Sequence, residues 1–126
     1  MFCHFLSLTL QSSKIEQFKI ANYIVIMISQ NLHNAINAQI NAELWSAYLY
    51  LSMSLDAEAK GYKGVANWFY VQFQEEQAHA RIFMNYLNSR DAKVELQPIA
   101  EVRTEWTSVL EMFQETLRHE KIVTAR

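Results

Sequence analysis

The stretch Gln74-Glu75-Glu76-Gln77-Ala78-His79 decides how the rest of the chain is read. Glu76 and His79 stand at i and i+3, so on a helix both side chains leave one face, one above the other. That face is otherwise apolar, because Phe69 and Phe83 flank Glu76 two helical turns away in either direction. The carboxylate therefore falls in the stripe expected to be buried. An uncompensated buried carboxylate is unfavourable by on the order of several kcal/mol unless a cation or hydrogen bonds meet its charge. Arg81, about 140° around the helix from Glu76, faces elsewhere.

Working outward, residues 62–89 read as one helix with Val65, Phe69, Gln72, Glu76, His79, Phe83 and Tyr86 on one face. Upstream, Ser29 is an N-cap and Lys60-Gly61 a cation followed by a left-handed stop, so 29–60 read as a single helix roughly 45 Å long. Its inner stripe is Leu32, Ile36, Ile40, Glu43, Ala47, Tyr50 and Ser54. Glu43 sits mid-stripe, and no Lys or Arg lies between Ser29 and Ala59 to neutralise it. The short turn with Gly61 and Gly64 implies that the two helices pack antiparallel. Downstream, Arg90 to Thr107 lacks helical periodicity and contains Pro98, which biases Gln97 towards an extended conformation. A connection of that length predicts a crossover to the far end of the bundle. There Ser108-Val109-Leu110-Glu111 has the capping-box pattern and opens a third helix with the stripe Leu110, Phe113, Leu117, Glu120 and Thr124, still in mid-pattern at Arg126.

Composition agrees with helices. Two Gly, one Pro and 51% hydrophobic residues in 126 leave few turns, so one all-α domain is expected. A formal net charge of −2 without a Lys/Arg cluster gives no electrostatic footprint for nucleic acid. The single Cys3, with no CxxC, suits a reducing compartment, and the cytoplasm is expected. Residues 1–26 differ from the rest. Phe2 to Leu10 is apolar but has no basic segment before it and no small-x-small site after it, which argues against a signal peptide. The run Tyr23 to Ile28 is far shorter than the ~20 residues that span a bilayer, so no membrane partner is expected. These residues read as an N-terminal extension outside the domain of 27–126, with Met27 a candidate true start of the protein and the residues before it an appendage or a mistranslated leader.

Three helices thus each place one Glu on an apolar stripe, and one adds His79 a turn away. Singly these features are weak, since a bare ExxH is most often a solvated surface pair and a stripe Glu often keeps its head in water. Jointly, Glu43, Glu76, His79 and Glu120 form a carboxylate-rich, single-imidazole set with no basic residue on the same stripes. Hard oxygen donors with one imidazole suit iron or manganese.

Residues 27–126 resemble the first three helices of a bacterial non-haem ferritin, in the ferritin-like di-iron family. The matching segments are Asn41-Ala42-Glu43-Leu44-Trp45, Gln74 to His79 with Arg81-Ile82-Phe83, and Phe113-Gln114-Glu115-Thr116 with His119-Glu120. The resemblance implies the family's four-helix bundle plan, here its first two helices, part of its third and a long crossover between the second and third. It also implies that the chain is C-terminally truncated relative to that plan, so that the second iron site is incomplete and apolar stripes normally covered by the fourth helix are exposed.

By the same resemblance, Glu43, Glu76 and His79 hold a first iron, Glu76 bridges, and Glu120 helps hold a second; Glu75 matches a residue of an accessory iron site. Tyr50 matches the tyrosine beside the di-iron centre, where it is either a hydrogen-bonding or electron-donating neighbour or simply a core aromatic. The implied function is iron storage and detoxification: a ferroxidase centre oxidises Fe(II) with O₂ or peroxide, and Fe(III) is deposited in a homo-oligomeric cage, 24 subunits in the intact family member. Met53 lies in no axial-ligand pattern, so no haem is expected. His33 is expected to be exposed, His119 to flank the site one step off the stripe, and Trp45, Trp68 and Trp106 to serve packing or subunit contacts. Two competing readings are a rubrerythrin-like peroxidase, whose second ExxH and rubredoxin-like Cys module are not visible here, and a helical interaction protein whose inward carboxylates are solvated.

Overall fold

A computed structural model describes residues 13–19 and 28–125 of the chain. Residues 13–19 form a short helix, α1, and the remainder of the expected N-terminal extension, with the candidate start at Met27, lies outside the described residues. Three long helices follow, α2 (Gln30–Ala59), α3 (Lys63–Ser89) and α4 (Val109–Thr124), and no strand occurs among the described residues. The all-α expectation and its helix bounds hold to within a residue or two.

Each boundary has a local cause. Ser29 Oγ accepts from Leu32 N–H and caps α2. Gly61, at φ +83°, supplies the left-handed residue that stops it. Asp91 plays the same part after α3 at φ +52°, where Ala92 N–H reaches back to the Leu87 carbonyl. Ser108 Oγ accepts from Glu111 N–H at the start of α4. The Glu111 carboxylate returns not to Ser108 but to the backbone N–H and hydroxyl of Thr107, at 2.7 and 2.8 Å, and to Arg103. Those donors hold the carboxyl down at about 2.

Two apolar clusters hold α2 against α3. Tyr50, Met53 and Ala57 meet Ala66 and Phe69 at one end, and Ile36 and Ile40 meet Leu87 and Phe83 at the other. Rising numbers on α2 thus meet falling numbers on α3, so the pair is antiparallel, and the buried Ala47, Ala57, Ala66 and Ala80 keep side-chain bulk small where the helices touch.

The 90–108 segment runs alongside α2 and is tied to it at three levels. His33 Nε2–H donates to the Lys93 carbonyl at 2.8 Å, and Asn37 Oδ1 accepts from Glu95 N–H at 2.8 Å. Ser52 Oγ–H donates to the Arg103 carbonyl. Asp56 accepts from Trp106 N–H, while Lys60 donates to the Trp106 carbonyl. The crossover therefore delivers α4 to the end of the bundle opposite the one where α3 finishes. His33, expected on an exposed face, is instead the first of these ties, because the extended crossover offers it an otherwise unpaired carbonyl.

One stripe differs in part from expectation, although its Phe113 packs on Trp68 and Phe69 of α3 at 5.1 and 5.2 Å between ring centroids. Leu110, Phe113 and Leu117 on α4 are 67%, 38% and 57% exposed, whereas Met112 and Thr116 are buried and His119 and Val123 half-buried. The turned face packs Met112 and Thr116 on Met53. Likewise Leu32 and Tyr86, drawn on inner stripes, are exposed at 43% and 37%; on α3 it is Leu87, one residue after Tyr86 and one turn after Phe83, that enters the second cluster.

Replacing Gly61 by Ala forces a Cβ into φ +83°, with no neighbouring atom within 4 Å to add a clash. Urea unfolding should show a loss of about 1 kcal/mol from backbone strain alone. Asp91→Gly should move the midpoint the other way by a similar or smaller amount.

Candidate metal centre

Between the two apolar clusters the helices turn polar. Glu43 comes from the middle of α2 and Glu76 and His79 from adjacent turns of α3, so the antiparallel packing alone brings the three together. Their ligand-type atoms lie within 4.8 Å of one another. His79 Nδ1 stands 3.6 Å from Glu43 Oε2 and 3.8 Å from Glu76 Oε2. The carboxylate side chains are only 11% and 14% exposed, while His79 is 44% exposed and forms the wet edge of the group.

The electrostatics show what the group lacks. Burial is the largest cause that pushes the Glu76 carboxyl up to about 8; a hydrogen bond to Glu43 and the charges of Glu43, Glu120 and Glu75 add to it. Without a cation beside it, the Glu76 carboxyl therefore keeps its proton where an exposed one would ionise. Among the described residues, the ion pairs formed by Lys and Arg engage Asp56, Glu111 and Glu115 and do not reach this cluster. Two carboxylate oxygens and one imidazole nitrogen within reach of a single point fit a hard or borderline divalent ion with small side-chain adjustments.

Glu120 stands next to the group rather than in it. Its residue is exposed, and its Oε1 accepts from the Tyr50 hydroxyl. Tyr50 is wholly buried and stacked on Phe69 at 6.2 Å. Burial first, then the Glu120 bond and the charges of Glu120, Glu76 and Glu75, raise its phenol well above the usual range, so Tyr50 stays a donor. Glu75 is exposed, and it influences the cluster through its charge.

His119 lies closer to these groups than its expected off-stripe position implies. It is half-buried with Nε2 2.7 Å from Ser46 Oγ, its ring 5.4 Å from Trp45 and edge-on to Tyr50 at 6.0 Å. The signal for it was the weaker stripe Val109, Met112, Thr116, His119, Val123, which has the same 3.6-residue period as the more apolar one beside it. Gln39, also not singled out by pattern, donates to Glu43 Oε1 at 2.7 Å from one turn upstream.

Comparison with known proteins follows the same lines. The family model described as a ferritin-like domain matches residues 33–126. The chain belongs to the ferritin-like family. It is 44% identical over 98 residues to a bacterial non-heme ferritin of Bacteroides fragilis, covering 78% of this chain and 62% of that one. A bacterial non-heme ferritin of Staphylococcus aureus is 36% identical over 100 residues, 79% of this chain and 60% of the relative. Among solved structures, an open pore ferritin from the hyperthermophilic archaeon Archaeoglobus fulgidus superposes with a TM-score of 0.76 at 43% identity, covering 78% and 60% of the two chains. This ferritin-like chain therefore spans about three-fifths of the length of the relatives it matches.

The raised Glu76 carboxyl gives the metal-free chain a pH dependence of definite sign. Folded, the group holds its proton up to about pH 8; unfolded, only up to about 4.5. Its contribution is complete below pH 4.5 and is lost as pH rises through 8, so the metal-free melting temperature should fall between pH 5 and pH 8. Water reaches the cluster at His79, and screening keeps the effect on the order of 1 kcal/mol. Calorimetry on Glu76→Gln should show a much flatter profile over that range.

Proposed function

We propose that this chain handles iron as a ferritin does, with Fe(II) as substrate taken up by Glu43, Glu76 and His79. The observation that carries the proposal is the meeting of two scarcely exposed carboxylates and one imidazole, contributed by two helices, at a point that no Lys or Arg reaches among the described residues. Glu76 lies towards Glu120, whose charge it feels, and is the candidate bridge to a second ion. Glu120, held by Tyr50, contributes to that second position, and Glu75 to an accessory one. Two Fe(II) give up one electron each, and O₂ or peroxide accepts the pair.

The chain's own groups act by placement and charge. Anionic oxygens interact more strongly with Fe(III) than with Fe(II), which lowers the energy of the oxidised product. The proton that Glu76 holds leaves when an ion binds, so uptake releases it and strengthens as pH rises towards 8. Tyr50 keeps Glu120 aimed through a hydrogen bond from a phenol that stays protonated. No covalent intermediate with the protein and no haem is required. Storage of Fe(III) in a homo-oligomeric cage, of 24 subunits as in the intact family member, and action in the cytoplasm belong to the same proposal. No helix among the described residues is long and apolar enough to cross a membrane.

Aerobic addition of Fe(II) at neutral pH should give a ferric absorbance that grows faster than in buffer. Glu76→Ala should return the initial rate to the buffer level, and His79→Ala should lower it at least tenfold, with helicity by circular dichroism unchanged in both. Equal rates for the wild type and Glu76→Ala would instead favour a helical interaction protein with solvated carboxylates.

A further inference from the structure

We propose that Gln39 is a positioning residue that decides which oxygen of Glu43 meets a metal ion. The inference rests on the metal-binding reading of the Glu43, Glu76 and His79 group and adds a residue to it. Gln39 is half-buried one turn before Glu43 on α2, and its Nε2 donates to Glu43 Oε1 at 2.7 Å. An ionised carboxylate only accepts, so the amide must present its NH₂ to it. The other oxygen, Oε2, is the one that stands 3.6 Å from His79 Nδ1.

The two oxygens of Glu43 are thereby divided. Oε1 is anchored to its own helix, and Oε2 faces α3 and the converging donors. A glutamate tethered this way offers one oxygen to an ion and is restrained from swinging both towards it. The donor's neutrality matters as much as its hydrogen bond. A Lys or Arg at this position would orient the carboxylate equally well but would place a positive charge beside the cation, and α2 carries neither between Gln30 and Ala59. An aliphatic side chain would add no charge but leave the carboxylate free to rotate. Partners that hold a ligating side chain from behind typically change metal affinity by about 10- to 100-fold when removed.

Co(II) is a suitable probe, since it tolerates oxygen at sites of this donor type and its visible absorption reports coordination number. The full chain should be titrated as wild type, Gln39→Met, Gln39→Glu and Glu43→Ala. Gln39→Met keeps the length and loses the donor, so it should weaken Co(II) about tenfold and alter the intensity of the visible band, with helicity by circular dichroism unchanged. Gln39→Glu keeps the shape but replaces the donor by a charge; it should show the altered band without the loss of affinity. A Gln39→Met protein with wild-type affinity and band overturns the inference, and should that variant not fold, a wild-type band in Gln39→Glu does so. A wild-type chain that gives no band, or a band that survives Glu43→Ala, overturns the metal-binding reading itself.

Discussion

The repulsion between Glu43 and Glu76 is the constraint on which the arrangement turns. Helix packing draws the two carboxylates to nearly the same place in a region with little water, and that proximity is unfavourable until a proton or a cation is held between them. The apolar clusters on either side supply the offset. Tyr50, Met53, Phe69 and Met112 on one side and Ile36, Ile40 and Leu87 on the other bury large side chains almost completely. Their burial, at about 25 cal/mol per Å² of apolar surface, fixes the helices firmly enough to keep the carboxylates from moving apart.

The crossover is the second element of the design. Its three ties to α2, at His33 and Asn37, at Ser52, and at Asp56 and Lys60, are spread along nearly the whole helix. They set the height at which α4 begins. The Arg103, Glu111, Glu115 and Trp106 contacts then fix the start of α4 to the crossover. From there, helical rise alone carries His119 to Ser46 and Glu120 to Tyr50. A slip of one turn would part Glu120 from Tyr50, and with it the third carboxylate from Glu43 and Glu76.

Membership of the ferritin-like family and the geometry support each other without being the same statement. The family model over residues 33–126 and the relatives at 36–44% identity over 98 and 100 residues establish the kinship. The donor atoms gathered around one point give that kinship a chemical content in this particular chain. The exposed apolar face of α4, with Leu110 and Leu117 in solvent, has no cover among the described residues.

The sequence by itself determined the helices and one of the donor pairings. Ser29, Gly61 and Ser108 punctuate the chain through local backbone chemistry, and the i, i+3 spacing of Glu76 and His79 fixes their common face whatever surrounds them. The expected stripe on α2 is right from Ile36 to Ser54 for the same reason: it has one dominant partner, and hydrophobic periodicity reports that partner directly. On α4 periodicity is ambiguous, because two stripes of equal period run side by side. The more apolar one, Leu110, Phe113 and Leu117, is the natural choice from residue type, yet only its Phe113 finds a partner, on α3, while α2 meets the stripe of Met112, Thr116 and His119. Only tertiary structure could decide that, since the crossover's ties to α2 set the rotation of α4 and they depend on residues up to 60 positions apart. The same holds for His33, whose partner is a backbone carbonyl invisible to any pattern, and for the bond between Tyr50 and Glu120. Local spacing is written in covalent geometry, whereas which face meets which neighbour is settled by packing across the whole bundle.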